Sequence, residues 1–279
     1  MTAFVVLISI GLVALIIAFS PLGTIITENV ITPIVSCFGK NPEDRKIVSV
    51  LDSHDEHLPD SVSSAPTENP IEKGVFTIDA TQFYILQMGV YTDSTEAKKH
   101  AEEIALIGAG GNIFQDGSVY RVFAAAYTDE DSVLKVQSQV RKDGFEATPY
   151  VTDKDGIKVT LEGNAEAIRM ITEAVPLLSD VPELLSELTL KFDKEEFNDS
   201  EIIKRLNELQ KKCEEQIKAL ESVPDQAVGP ITDLLQKYKE SISTFLREHD
   251  TINAGIRSCE LKHLQLDSII DYILFFDME

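Results

Sequence analysis

Side chains with the types and spacing for chemistry are few and scattered in this 279-residue sequence. The run His54-Asp55-Glu56-His57 has metal-ligand residue types. No second cluster completes a coordination shell and nothing nearby forms a rigid scaffold, so it reads as a solvated acidic patch. Cys259 and His263 fall on one helix face at i,i+4, a spacing two metal ligands use, again with no second pair. Cys37, Cys213 and Cys259 lie at unrelated spacings without a CxxC, which supports neither a disulfide framework nor a cysteine-rich zinc site. Cys213 belongs to an apolar helical stripe and reads as core. No glycine-rich phosphate loop or nucleophile elbow occurs. The sequence therefore predicts no enzyme, no metal and no cofactor, and leaves recognition as the chemistry to look for.

Two polar residues on alternating apolar runs, Gln87 and Arg121, suit recognition. A Gln amide both donates and accepts, and an Arg fork reaches hydroxyls or a carboxylate. The runs that hold them belong to a repeat of 36 residues: Tyr84 recurs as Tyr120, Tyr91-Thr92-Asp93 as Tyr127-Thr128-Asp129, and Gly108 as Gly144. Each copy opens with an alternating run (83–91, 119–127) that suits a strand. A Thr-Asp N-cap follows, then a helix (94–107, 130–142) closed by glycine, and then a short strand near 111–115 or 146–151. Asp116-Gly117-Ser118 makes the turn between the copies. Two βαβ halves so joined give a four-stranded antiparallel sheet with both helices on one face. Alternation places Tyr84, Leu86 and Met88 with Tyr120, Val122 and Ala124 beneath the helices. Phe83, Ile85 and Gln87, with Val119, Arg121 and Phe123, then form the open face; a bulge at Gly89 would shift that register. Tyr91 and Tyr127 read as packing residues of the repeat.

At these residues the sequence resembles the SPOR (sporulation-related repeat) domain family. Residues 83–91, Phe-Tyr-Ile-Leu-Gln-Met-Gly-Val-Tyr, look like its opening signature, and Val119-Tyr120-Arg121-Val122 is similar to the Tyr-Arg-Val that opens its second half. The resemblance covers 81–152 and implies a module that binds peptidoglycan, preferring glycan strands stripped of stem peptides. It also implies that such a module hangs outside a bacterial inner membrane on one helix and a linker. Gln87 and Arg121 match family positions, so the resemblance implies a glycan-binding face of Gln87, Arg121, Phe83, Ile85, Val119 and Phe123. The chain departs from the family pattern at Val90, at Val119 and at Ala125-Ala126-Tyr127, where Gly-Pro-Phe is usual. An apolar face of Phe83, Ile85, Val119 and Phe123 would equally suit a protein partner or a cover made by the chain's own C-terminal helices.

The elements that hold this module in place are read from composition. Residues 4–19 are almost wholly apolar and no charge falls between Thr2 and Thr27, which is long enough to cross a ~30 Å hydrocarbon layer. With no Lys or Arg before Lys40, the segment reads as an uncleaved anchor, and Cys37 as a juxtamembrane cysteine. Lys40, Arg45 and Lys46 follow the helix and by the positive-inside tendency favour a cytoplasmic body, whereas the family resemblance implies an extracytoplasmic one. Residues 52–79 are rich in Ser, Pro and acids and read as a tether. Beyond 157, a strand at 157–161 and helices from Asn164, after Pro182, over 202–220 and 228–245, and over 258–276 close a bundle, with a hairpin at Pro224-Asp225.

The expected fold class is α+β. It comprises a transmembrane helix (1–28), a juxtamembrane segment and flexible linker (29–80), a SPOR-like domain of ferredoxin or RNP-like order (81–152) and a helical domain (157–279). Acids outnumber bases 47 to 25, a net charge of −22, and residues 160–279 hold 25 acids against 13 bases. No basic surface is left for nucleic acid. The expected partners are peptidoglycan glycan strands, the membrane, and another envelope protein or a second copy through the helical domain. The alternatives are an interaction scaffold without glycan affinity and a membrane-tethered sensor of a small ligand. A role in cell division or in sporulation stays open.

Overall fold

The computed structural model describes residues 48–49, 72–152, 154–223, 225–251 and 255–277. The expected anchor, the 54–57 cluster and Cys37 lie outside the described residues. Among the described residues no helix is long and apolar enough to cross a membrane.

The chain starts with β1 (Val48–Ser49) and β2 (Glu72–Ile78), then runs through β3 (Tyr84–Tyr91), α1 (Ser94–Ala105), β4 (Asn112–Asp116), β5 (Val119–Tyr127), α2 (Glu130–Lys142) and β6 (Thr148–Val151). Strands β3 to β6 form an antiparallel sheet in the order β4-β5-β3-β6, the two-half arrangement the repeat predicts. Both helices start on the repeated aspartate. Asp93 accepts from the backbone N–H of Thr95 and Glu96 at 2.8 and 3.0 Å, and Asp129 from that of Ser132 at 2.8 Å. The β4–β5 hairpin turns at Gly117, whose φ of +59° is a conformation L side chains rarely adopt. The β3–β5 register slips between Leu86 and Gln87 and again between Gln87 and Gly89. The two slips leave the faces as alternation assigns them. Leu86, Met88, Val122 and Ala124 pack beneath Ala97, Ala101 and Ile104 of α1 and Val133 of α2.

Two readings of the flanking segments change. Residues 72–78 are not tether. They form β2, which pairs antiparallel with β7 (Ile157–Gly163) from Glu72↔Gly163 to Ile78↔Ile157, while β1 lies parallel along the other edge of β7. Strand β7 thus belongs to a second sheet of order β1-β7-β2, apart from the four-stranded one. The bundle follows as α3 (Ala165–Ala174), α4 (Leu177–Asp193), α5 (Asp199–Leu220), α6 (Asp225–Thr251) and α7 (Ser258–Phe276). Helix α4 runs through Pro182 instead of starting after it. Proline removes the N–H that would bond to the carbonyl four residues back. That carbonyl, on Leu178, accepts instead from the buried Tyr238 hydroxyl of α6 at 3.0 Å.

Helix α7 sets the architecture. Leu261, Leu264, Leu266, Ile269, Tyr272, Ile273 and Phe275 are all buried, so the buried positions cover more than half of the helix surface instead of forming one narrow stripe. A helix with so wide a buried face has two neighbouring surfaces to cover. One side of α7 lies on the bundle and the other on the face of the four-stranded sheet opposite α1 and α2, so that a single apolar core joins Phe83, Ile85, Phe114 and Phe123 to the bundle.

Candidate functional site

The six residues expected on an open face divide into two groups. Phe83, Ile85 and Phe123 have no exposed surface, which corrects the open-face expectation for this half of the sheet: they are packing residues under α7. Phe83 meets the Tyr272 ring edge-on at 5.9 Å between centroids, and Phe123 lies 5.3 Å from Tyr150 and 6.0 Å from Phe114.

Polar contacts lock the cover in place. Gln265 Nε2 donates to the Ala126 carbonyl at 2.8 Å, and Asn112 Nδ2 donates to the His263 carbonyl at 3.0 Å and to Asp267 Oδ1 at 2.6 Å. The Tyr272 hydroxyl accepts from the Thr81 N–H at 2.8 Å and donates to the Asp79 carbonyl at 3.2 Å. Gly110 permits the close approach. A Cβ there would stand 2.7 Å from Leu266 Cδ1, 2.9 Å from Asn112 Oδ1 and 3.2 Å from the Lys262 backbone. His263, weighed as a metal ligand with Cys259, instead places Nδ1 3.1 Å from the Gly110 carbonyl and Nε2 3.5 Å from Asp267. Among the described residues no group of three or more His, Cys, Asp or Glu is arranged to hold a metal ion.

Gln87, Arg121 and Val119 lie beyond the covered area, at the end of the sheet next to the β4–β5 turn, and all three are half-buried. Arg121 donates from Nε and Nη2 to Asp116 Oδ2 at 2.8 and 2.7 Å, and from Nη1 to Gln87 Oε1 at 2.9 Å. Gln87 Nε2 passes the chain on to Thr148 Oγ1 at 3.1 Å. The guanidinium carbon stands 5.1 Å from the centroid of the Tyr150 ring, within cation–π range. Burial pushes the Tyr150 phenol above its ordinary pKa, Asp116 adds to the shift, and Arg121 opposes it. The result is a polar cluster of zero net charge on an aromatic floor, with 24% of the Arg121 side chain and 43% of the Asp116 side chain exposed. Such a cluster offers amide, hydroxyl, carboxylate and guanidinium groups at fixed positions, which is the equipment for binding hydroxyl-rich and amide-bearing ligands.

Sequence reasoning missed three members of this cluster. Tyr150 stands opposite Ile85 and Thr148 opposite Gln87 in the β3–β6 register, and Asp116 follows two residues after Phe114, the partner of Arg121. Their signal is the strand register, which the repeat alone does not supply.

Two clefts follow the seam between sheet domain and bundle, of about 570 and 730 Å³. The first is lined by the end of β5 and by α4, the second by α1 and α6, and acidic side chains predominate over basic ones in both.

Among protein families, the SPOR domain matches residues 80–151. No curated protein matches. Among solved structures, this chain is similar to the peptidoglycan binding domain of the B. subtilis cell wall lytic enzyme CwlC. The likeness is at 18% identity over 26% of this chain and 92% of that one, with a TM-score of 0.24.

Proposed function

We propose, starting from the SPOR domain at residues 80–151, that this protein binds peptidoglycan glycan strands without being an enzyme. The uncovered end of the sheet would make the contact. The observation that carries the reading is the Gln87–Arg121 pair: both family positions are occupied by matching residues, and both stand half-buried at the part of the face that α7 leaves free. Arg121 has N–H groups left over after its three bonds, and Gln87, Thr148 and Asp116 present donors and acceptors around it. The apolar part of the face, Phe83, Ile85 and Phe123, takes no part in binding. The setting of the reading is a single-pass membrane protein of the bacterial envelope, its apolar head the anchor and its body outside the cytoplasm. Its helical domain would serve another envelope protein or a second copy.

Sacculi stripped of stem peptides by an amidase test the proposal. The full chain should sediment with them, and Arg121→Ala and Gln87→Ala should each weaken that binding while remaining folded at the assay temperature. Failure of the wild-type chain to sediment would overturn it. The second reading, a SPOR fold kept as an interaction scaffold without glycan affinity, draws on the cover itself, since Phe83, Ile85 and Phe123 of the sheet face share a core with α7. Wild-type protein that ignores stripped sacculi yet folds with α7 in place would favour this reading.

A further inference from the structure

The glycan reading leaves open how a strand would lie on the sheet, and the order of the polar contacts bears on that. The hydrogen bonds that link Asp116 to Arg121, Arg121 to Gln87 and Gln87 to Thr148 step through β4, β5, β3 and β6, the order of the strands in the sheet. The polar row therefore runs across the strands, not along one of them. Helix α7 crosses the same strands in the same order. Asp267 holds Asn112 at the start of β4, Gln265 holds the Ala126 carbonyl in β5, Tyr272 lies on Phe83 next to β3, and Asp277, just past the helix, pairs with Lys154 beyond β6. Row and helix are thus parallel. Asp116 and Asn112 are four residues apart, as are Gln87 and Phe83. At a strand rise of ~3.3 Å per residue, the two lines are about 13 Å apart. A helix with its side chains reaches about 5–6 Å from its axis, which leaves an uncovered strip about 7 Å wide beside α7.

That strip has a wall. His263, Asp267, Ile270, Leu274 and Asp277, all exposed or half-buried, recur at i,i+3 and i,i+4 and so form one lengthwise stripe on α7. Helix α4 lies along a different flank, where Ser258 and Lys262 both reach Asp193. At the end of the stripe Asp277 acts on the phenol of Tyr150, the ring beneath the Arg121 guanidinium, so the stripe borders the polar row. Leu274, one turn before Asp277, is 41% exposed. Sugar rings present C–H faces between their polar groups, which match an apolar wall beside a polar row. Asp116 and Asp277 are each paired with a base, and Arg121 keeps N–H groups for a lactyl carboxylate. Resting on the glycan reading above, we propose that α7 is the back wall of the glycan site. The strand lies crosswise over β4, β5, β3 and β6, in line with α7, with Leu274 and Ile270 against the C–H faces of its sugars and the polar row against their hydroxyl, acetamido and lactyl groups.

Hydroxyl-radical footprinting of the full chain in mild detergent, with and without soluble glycan strands stripped of stem peptides, tests the wall without any substitution. Read by mass spectrometry, Leu274 and Tyr150 should lose reactivity when the strands are added. Leu190 of α4, 38% exposed in the first of the seam clefts, should keep its own. In titration calorimetry with the same strands, Leu274→Ser should weaken binding about fivefold, the factor that burying part of one leucine side chain carries. Leu190→Ser should bind as wild type. If the wild-type chain binds the strands but Leu274 keeps its reactivity, or Leu274→Ser keeps wild-type affinity, the wall is overturned and the glycan reading is left standing. Absence of binding by the wild-type chain would remove both. The footprint decides the matter even if the variant fails to fold.

Discussion

Replacing Phe123 by Ala separates a covered sheet from an open one. Phe123 is fully buried, with Tyr150 and Phe114 against its ring at 5.3 and 6.0 Å. Truncating a buried Phe costs about 3–5 kcal/mol, and the loss of two aromatic neighbours places this site in the upper half of that range, at about 4 kcal/mol. On a sheet face open to solvent the same change would stay within about 0.5 kcal/mol. Urea denaturation of a chain beginning at residue 48, which holds every described element, reads the difference as a fall in the midpoint at unchanged slope. Val90→Ala is the internal control. Val90 is in the same domain but 46% exposed, and should move the midpoint hardly at all. The reasoning is refuted if Phe123→Ala costs no more than Val90→Ala.

Further perturbations address the contacts that hold α7 and the groups it buries. Gly110→Ala should cost about 1–3 kcal/mol in the same assay, because the new methyl group presses on Leu266 and on the backbone at Lys262. Tyr272→Phe keeps the ring on Phe83 but leaves the Thr81 N–H and the Asp79 carbonyl without their shared partner, an expected loss of about 1–3 kcal/mol. Burial pushes the Cys213 thiol up to about 12. Alkylation of the native protein at pH 8, mapped by mass spectrometry, should therefore spare Cys213 until the chain unfolds and modify the partly exposed Cys259 first. Burial also raises the Asp267 carboxyl, with His263 and Asn112 opposing. A raised folded-state pKa means stability that is present at low pH and lost as pH rises through that value. Asp267→Asn should thus melt higher than wild type at pH 7, with the gain vanishing below the ordinary carboxylate range. An equal gain at both pH values would contradict the assignment.

The four-stranded sheet was legible because its evidence is local and doubled. The recurring tyrosines and Thr-Asp caps fixed strand, helix and face within each half, and Leu86, Met88, Val122 and Ala124 lie under the helices as alternation requires. The opposite face was legible only as a choice between an open surface and a cover by the C-terminal helices, since the helix that covers Phe83, Ile85 and Phe123 lies far along the chain. The signal available was the width of that helix's apolar face, which spans more than half its surface and asks for two covered surfaces instead of one. Strand β2 was hidden for a related reason: its partner β7 comes only after the whole sheet domain, and a polar run precedes it. Helix α4 crosses Pro182 because a tyrosine on another helix takes the orphaned carbonyl, a compensation no local propensity reports. At the site, Gln87 and Arg121 were readable as residue types on a strand, whereas Asp116, Thr148 and Tyr150 reach them only through register.

Hydrogen exchange on the full chain, with and without stripped glycan, tests most directly the claim that the sheet binds glycan at its uncovered end while α7 stays seated. The account predicts added protection around Gln87, Arg121 and Thr148, with residues 258–276 slow to exchange in both states. Faster exchange of residues 258–276 on adding glycan, or new protection centred on Phe83 and Ile85, would contradict it.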